Sequence, residues 1–130
     1  MFRDTKAFSG FSVNDLAKAK AFYADSLGLD VRDEGENMGF SLHIAGGIPI
    51  FVYPKGEAHT PASFTILNFP VPNITEAVDE LTRRGVQFEH YDDEYMKTDA
   101  KGIAWSDGNG PNIAWFKDPA GNFLAVLEGE

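Results

Sequence analysis

The chain of 130 residues contains no cysteine. This absence excludes disulfides, zinc-thiolate centres, iron–sulfur clusters and cysteine nucleophiles. Three histidines, His43, His59 and His90, remain as candidate metal ligands or bases near neutral pH. A chain of this size buries roughly two-thirds of its unfolded surface, so we expect one domain that folds without a covalent or metal staple.

Long apolar runs and excess positive charge are also missing. The longest apolar stretches, such as Ile48 to Tyr53, are far too short to span a bilayer, and the N-terminal MFRDTKAFSG lacks a signal-type apolar core. We therefore expect a cytoplasmic protein with no membrane partner. Eleven Lys and Arg against 20 Asp and Glu give a net charge of −9, which argues against nucleic acid as a partner. The acidity either serves solubility alone or also favours a cationic ligand.

Two segments of the chain align with an offset of 58 residues. FSVNDLAKA, residues 11–19, matches FPVPNITEA, residues 69–77, and places Asp15 on Asn73. In each segment alternating apolar residues end a strand, and a short polar residue then caps a helix. The apolar periodicity predicts helices over about 15–27 and 73–84.

Three strand-like runs follow the first predicted helix and four follow the second, one more than is required by the order β-α-β-β-β, which we interpret as occurring twice. They lie at 30–33, 39–44 and 48–53 in the first half and at 86–91, 102–106, 112–117 and 122–128 in the second. A second alignment, with an offset of 74, places Phe51 on Ala125. We interpret the halves as copies of one module, at about 5–54 and 64–130, joined by a polar Pro/Gly connector at about 54–63.

Two motifs carry a resemblance to a known family. FSVNDLAKAKAFYADSLGLDV, residues 11–31, holds a strand-to-helix corner, and WFKDPAGNFLAVLE, residues 115–128, holds an Asp-Pro-Ala-Gly-Asn turn between two strands. With the repeat, nearly the whole chain resembles the vicinal oxygen chelate superfamily of glyoxalase I, extradiol dioxygenases, fosfomycin resistance enzymes and bleomycin-binding resistance proteins. The resemblance implies a single α+β domain over 1–130. In it, two βαβββ modules with curved mixed sheets enclose a cleft, with helices on the outer faces. It also implies a homodimer.

The metal enzymes of this superfamily take ligands from the first and last strand of each module. Carried over through the matching motifs, these places fall on Phe8, Phe51, Ile66 and Ala125. None of these side chains offers a lone pair to a cation, and shifting the alignment by one residue in either direction does not restore a metal-binding set. We therefore expect no bound metal and no other cofactor.

The same strand faces supply a candidate ligand site, and no catalytic residue is assigned. If these faces line the cleft, the result is an apolar, aromatic pocket with few polar anchors, as is typical of small-molecule sites. The alternative is a filled core, against which the small or polar Gly10, Ser12 and Asn68 argue. The residues assigned to the site are Phe8, Ser12, Phe51, Tyr53, Ile66, Asn68, Trp105, Trp115 and Ala125.

Three functions remain open from the sequence. The first is a metal-free protein that binds or sequesters an aromatic ligand, cationic or neutral, by stacking and burial. The second is a metal-independent lyase or isomerase-like enzyme that uses His43 or a carboxylate of the acidic loop, residues 92–101, as base in the same cleft. The third is an interaction or regulatory subunit with a vestigial cleft. The acidic loop either covers the cleft or is an idle surface loop.

Overall fold

A computed structural model describes residues 1–129 of the chain. The chain divides into two compact units, one of Met1–Pro61 and one that begins at Ala62. The division falls inside the predicted connector at about 54–63. Each unit is built around one four-stranded mixed sheet.

The first unit has the order β1 (Gly10–Val13), α1 (Leu16–Ala21), β2 (Asp30–Asp33), β3 (Phe40–His43) and β4 (Ile50–Pro54). Its strands lie in the order β1-β4-β3-β2, with β1 parallel to β4 and the other pairs antiparallel. α1 begins where the side chain of Asp15 accepts a hydrogen bond from the Lys18 N–H at 3.1 Å. A π-helical turn, Phe22–Ser26, extends the helical segment to the end predicted near residue 27.

The second unit has the order β5 (Thr65–Val71), α2 (Ile74–Arg83), β6 (Ile103–Ala104), β7 (Ile113–Lys117) and β8 (Phe123–Glu128). Its strands lie in the order β5-β8-β7-β6, with β5 parallel to β8. The side chain of Asn73 caps α2 by accepting from the Glu76 N–H at 3.1 Å, as Asp15 does for α1. The two units share one topology, which confirms the α+β class and the repeated βαβββ order.

The predicted strand at 86–91 is wrong, and the one at 102–106 is longer than the observed strand. The first segment makes a single antiparallel bridge, between Phe88 and Phe116, and β6 is only two residues long. Val86 and Phe88 are buried, so their alternation reflects packing against the unit's core rather than pairing in the sheet. Gly102 precedes β6 with φ of +92°, and a Cβ at this position would lie 2.8 Å from Cβ of Phe88, so glycine is required there.

One face of each sheet is buried beneath its helical segment. In the first unit the ring of Tyr23 contacts those of Phe11 and Phe40, with centroids 5.8 and 6.3 Å away. In the second unit the fully buried Ile74 and Val78 of α2 lie over the sheet that holds Phe116 and Leu124. The helical segment of each unit does not cover the opposite face of its sheet. Within residues 1–129 no helix is long and apolar enough to cross a membrane.

Candidate functional site

A cavity of about 300 Å³ lies in the second unit, on the face of its sheet opposite α2. Leu124 and Val126 are buried on the helix side of β8, and Phe123 alternates with them to face the cavity. The volume is at the lower end of the roughly 300–1,000 Å³ that small-molecule pockets have. We call it the aromatic cavity. Its lining residues are Ser63, Phe64, Thr65, Tyr91, Asp93, Tyr95, Met96, Trp115 and Phe123.

Strand register positions the indole of Trp115 in the aromatic cavity. Trp115 lies opposite Ala125 in the antiparallel β7–β8 pair, and Asn68 lies beside Ala125 in the parallel β5–β8 pair. Side chains of directly paired residues project from the same face, so these three form a row across the sheet. Ala125 is fully buried and is not among the residues that line the cavity.

The acidic loop folds into a short hairpin that contributes to the cavity wall. The Thr98 N–H donates to the Tyr91 carbonyl at 2.9 Å, and Oδ1 of Asp93 accepts from the N–H groups of Tyr95 and Met96 at 2.8 Å each. These bonds hold Asp93, Tyr95 and Met96 at the wall. Burial, followed by the charge of the nearby Glu89, raises the pKa of the Tyr91 phenol, so its hydroxyl stays protonated well into alkaline solution.

A second cavity, of about 450 Å³, lies in the first unit. The rings of Phe51 and Tyr53 stack beside it, with centroids 5.8 Å apart and planes at 20°. Ser12 lies next to Tyr53 in the β1–β4 pair, and its Oγ is 2.8 Å from Nδ1 of His59. We call this space the polar-ended cavity, since it combines apolar side chains with a carboxyl and a hydroxyl group. Its lining residues are Phe8, Glu34, Ser41, Ile48, Pro49 and Phe51.

The assigned site residues are distributed over the two units. In the first unit, Phe8 and Phe51 line the polar-ended cavity, while Tyr53 and Ser12 follow along the same sheet face. In the second unit, Trp115 lines the aromatic cavity, with Ala125 and Asn68 beside it.

Ile66 and Trp105 lie elsewhere in the second unit. A register shift between Thr65 and Leu67 puts Thr65, not Ile66, opposite Phe123, and Thr65 is the residue that lines the cavity. Trp105 is exposed, and its Nε1–H donates to Oδ2 of Asp99 at 2.8 Å. Burial alone raises the pKa of Asp99, but the bonds from Trp105 and from backbone N–H groups outweigh it and lower that pKa.

Several cavity residues were missed from the sequence. Asp93 and Met96 belong to a segment without periodicity, and Phe64 precedes β5. Tyr91 ends the predicted strand at 86–91, which was not assigned to the cleft. Glu34 lies just after β2 and was not predicted as a site residue either. Ser41 and Phe123 were recoverable, because alternation places them on the faces of His43 and Ala125 respectively.

The side chains at the superfamily's metal places do not form a donor set. Phe8, Phe51, Ile66 and Ala125 carry only carbon and hydrogen atoms beyond the backbone. Across residues 1–129, no three or more His, Cys, Asp or Glu side chains are grouped so as to hold a metal ion. The residues present at these places therefore do not fit the metal that the superfamily's enzymes use.

Residues 8–126 match the family model described as Glyoxalase/Bleomycin resistance protein/Dioxygenase superfamily. No sequence among the curated proteins matches the chain. Many solved structures share its fold at low identity, including the following three. TnmS3, an antibiotic binding protein from Streptomyces sp. CB03234, is 20% identical with a TM-score of 0.66, over 98% of both chains. Lactoylglutathione lyase from Agrobacterium tumefaciens is 21% identical with a TM-score of 0.63, over 97% of this chain and 94% of that one. Oxidase ChaP-H2 is 24% identical with a TM-score of 0.66, over 98% of this chain and 95% of that one. The chain belongs to the Glyoxalase/Bleomycin resistance protein/Dioxygenase superfamily.

Proposed function

We propose that the protein binds and sequesters an aromatic small molecule without a metal ion. The observation that carries the proposal is the wall of the aromatic cavity, where five rings and the thioether of Met96 converge. The rings are those of Phe64, Tyr91, Tyr95, Trp115 and Phe123. Such a surface binds planar ligands by offset or edge-to-face contact and by removing apolar area from water.

The charge of the cavity favours a cationic ligand over an anionic one. Asp93 is the acidic residue of the wall, and its Oδ1 already accepts two backbone N–H bonds. Its exposed carboxylate still adds negative charge beside the rings, and the net charge of −9 acts in the same direction. Aromatic faces attract cations by about 0.5–1 kcal/mol at exposed sites and more when water is excluded.

Relatives of the same fold support a binding role. TnmS3 is an antibiotic binding protein, and its chain is covered almost end to end by this one. Lactoylglutathione lyase shares the fold as well, but the apolar side chains at the superfamily's metal places argue against metal-assisted chemistry in this chain. A homodimer and a cytoplasmic location remain expectations that come from the sequence.

A matched pair of ligands tests the proposal. N-methylquinolinium and quinoline have similar flat rings, and at neutral pH only the first is charged. In a Trp105→Phe variant Trp115 is the single tryptophan, so its fluorescence reports the aromatic cavity alone. We expect saturable quenching by both compounds, with tighter binding of the cation.

The Trp115→Phe variant is the control, because its remaining Trp105 lies outside the cavity wall. Trp105 should show only weak, non-saturable quenching. If neither compound, nor a wider panel of planar molecules, binds saturably by fluorescence and calorimetry, the binding function is contradicted and the interaction-subunit alternative takes its place.

A further inference from the structure

The polar-ended cavity occupies the place in the first sheet that the aromatic cavity occupies in the second. Ser41 pairs with Phe51 across β3–β4, and Trp115 pairs with Ala125 across β7–β8. Both pairs are related by the offset of 74 residues that aligns the modules. The repeat therefore carries a hydroxyl group in one unit where it carries an indole in the other.

The hydroxyl of Ser41 faces three acceptors and has one proton to give. Its Oγ lies 2.9 Å from Nε2 of His43, but 3.4 Å from both Oε2 of Glu34 and the Arg32 carbonyl. The imidazole is the closest of the three groups, and 3.4 Å is near the limit for a hydrogen bond between oxygens. Glu34 thus receives at most one weak hydrogen bond from Ser41.

Glu34 forms no ion pair with a cationic side chain within residues 1–129, although Arg32 lies two residues before it. Arg32 donates to both carboxylate oxygens of Asp30, and the closer contact, from Nη2 to Oδ2, is 2.9 Å. Its charge is therefore compensated by Asp30. The carboxylate of Glu34 stands at the edge of the cavity with its negative charge unneutralised by a protein side chain.

The rest of the polar-ended cavity is apolar. Phe8 and Ile48 line it although 67% and 51% of their surfaces are exposed, and Pro49 and Phe51 complete the wall. A carboxylate at one end of an apolar pocket matches a ligand with a positively charged head and an apolar body. An ammonium group suits this end best, since it donates to both Glu34 and the lone pairs of Ser41 Oγ.

We propose that the first unit holds a second ligand site, the polar-ended cavity, which binds a primary ammonium that carries a small aryl or alkyl group. Glu34 and Ser41 bind the ammonium head, and Phe8, Ile48 and Phe51 contact the body. The site differs in chemistry from the aromatic cavity, and it stands whether or not the function proposed for that cavity is correct.

Benzylammonium and uncharged benzyl alcohol are the probes, and calorimetry with amide NMR is the measurement. We expect benzylammonium to bind with shifts at the amides of Ser41 and Phe51, and benzyl alcohol to bind at least tenfold more weakly. Glu34→Gln should lower the affinity for benzylammonium on the order of tenfold, as the loss of a charge-assisted hydrogen bond does, and leave that for benzyl alcohol unchanged. Glu36→Gln removes the same charge from the same hairpin outside this cavity and should have little effect.

Two results would overturn the second site. One is equal affinity of the wild-type protein and the Glu34→Gln variant for benzylammonium, since the carboxylate is the proposed recognition element. The other is loss of benzylammonium binding in a Trp115→Ala variant with shifts confined to the second unit. That result would place the ligand in the aromatic cavity and leave the proposed function intact.

Discussion

The rings of Trp115 and Tyr91 meet edge to face, with centroids 5.9 Å apart and planes at 83°. Tyr91 also accepts a bond at its carbonyl from the Thr98 N–H, and its own N–H donates to Thr98 Oγ1. These two bonds close the hairpin that begins at Tyr91. The aromatic contact and the bond from the Glu89 N–H to the Trp115 carbonyl at 2.8 Å join the hairpin to β7.

Replacing Tyr91 with alanine is expected to weaken ligand binding in the aromatic cavity. The change removes one ring of the wall and the edge-to-face contact with Trp115, together about 1–2 kcal/mol. Titration of N-methylquinolinium against the variant measures the loss as an increase in Kd of roughly five- to thirtyfold.

Tyr91→Phe is the matched control, since it keeps the ring and removes only the hydroxyl. Its affinity should stay within about twofold of wild type, because the proposed contact is with the ring face. Equal Kd values for wild type and the alanine variant would show that Tyr91 takes no part in the site.

Tyr91 also gives a pH dependence whose sign is fixed by its surroundings. Burial first, and then the charge of Glu89, raises the pKa of the phenol above its ordinary value of 10.0. The neutral phenol is thus favoured in the folded state, and its contribution to stability is present below pH 10 and is lost as pH rises through the higher folded pKa. The difference in absorbance at 295 nm between wild type and Tyr91→Phe should follow the ionisation of Tyr91, and its midpoint should lie at a higher pH than that of free tyrosine. A midpoint at or below pH 10 would contradict this prediction.

Local features of the fold were predictable from the sequence because they depend on a few adjacent residues. Asp15 and Asn73 were both assigned as helix caps, and each accepts the expected N–H bond three residues further along. The topology followed from the repeat, since two copies of one element order fold by one set of pairings. Helix caps and the repeat can both be recognised from short continuous segments of sequence, and these predictions were therefore correct.

The site depended on features that no local pattern encodes. One inserted residue in β5 exchanges Ile66 for Thr65 at the position opposite Phe123, and alternation carries no signal for such a bulge. The segment from Val86 to Tyr91 alternates like a strand, yet it is held by burial and a single bridge. Tyr91, Asp93 and Met96 reach the cavity through a hairpin set by side-chain to backbone bonds. Their role becomes visible only in three dimensions.

The purified protein is expected to hold no stoichiometric divalent metal. The four places that carry ligands in the superfamily's metal enzymes hold Phe8, Phe51, Ile66 and Ala125, whose side chains cannot coordinate a cation. Elemental analysis of untagged protein should find well under one zinc, nickel, manganese or iron per chain. Added metal should leave Tm unchanged, because a ligand that does not bind the native state cannot stabilise it. One tightly held ion per chain would restore a metalloenzyme as the leading function.

The turn between β7 and β8 connects the aromatic cavity to the stability of the second unit. Oδ1 of the buried Asp118 accepts from the N–H groups of Ala120 and Asn122 at 2.9 Å each. Nδ2 of Asn122 donates to the other oxygen of Asp118, and Oδ1 of Asn122 accepts from the Ala62 N–H at 2.9 Å. Asn122 thus joins the turn to the segment just before β5, where Ser63, Phe64 and Thr65 line the cavity.

Asn122→Ala is therefore expected to lower both stability and ligand affinity. The variant leaves the Ala62 N–H and one oxygen of Asp118 without the partner they have in the wild type, which costs about 2–4 kcal/mol in the free energy of unfolding. A loss of that size lowers Tm by roughly 6–15 °C in a chain of this length. Thermal unfolding measures the stability, and titration of N-methylquinolinium well below the variant's Tm measures the ligand affinity.

Asn109→Ala, in the exposed turn before β7, is the control. It should change neither the free energy of unfolding nor that of binding by more than about 0.5 kcal/mol. If Asn122→Ala unfolds like the Asn109 control, the bond to Ala62 does not stabilise the unit. If it is destabilised as expected but binds the cation as tightly as wild type, the segment before β5 does not shape the cavity.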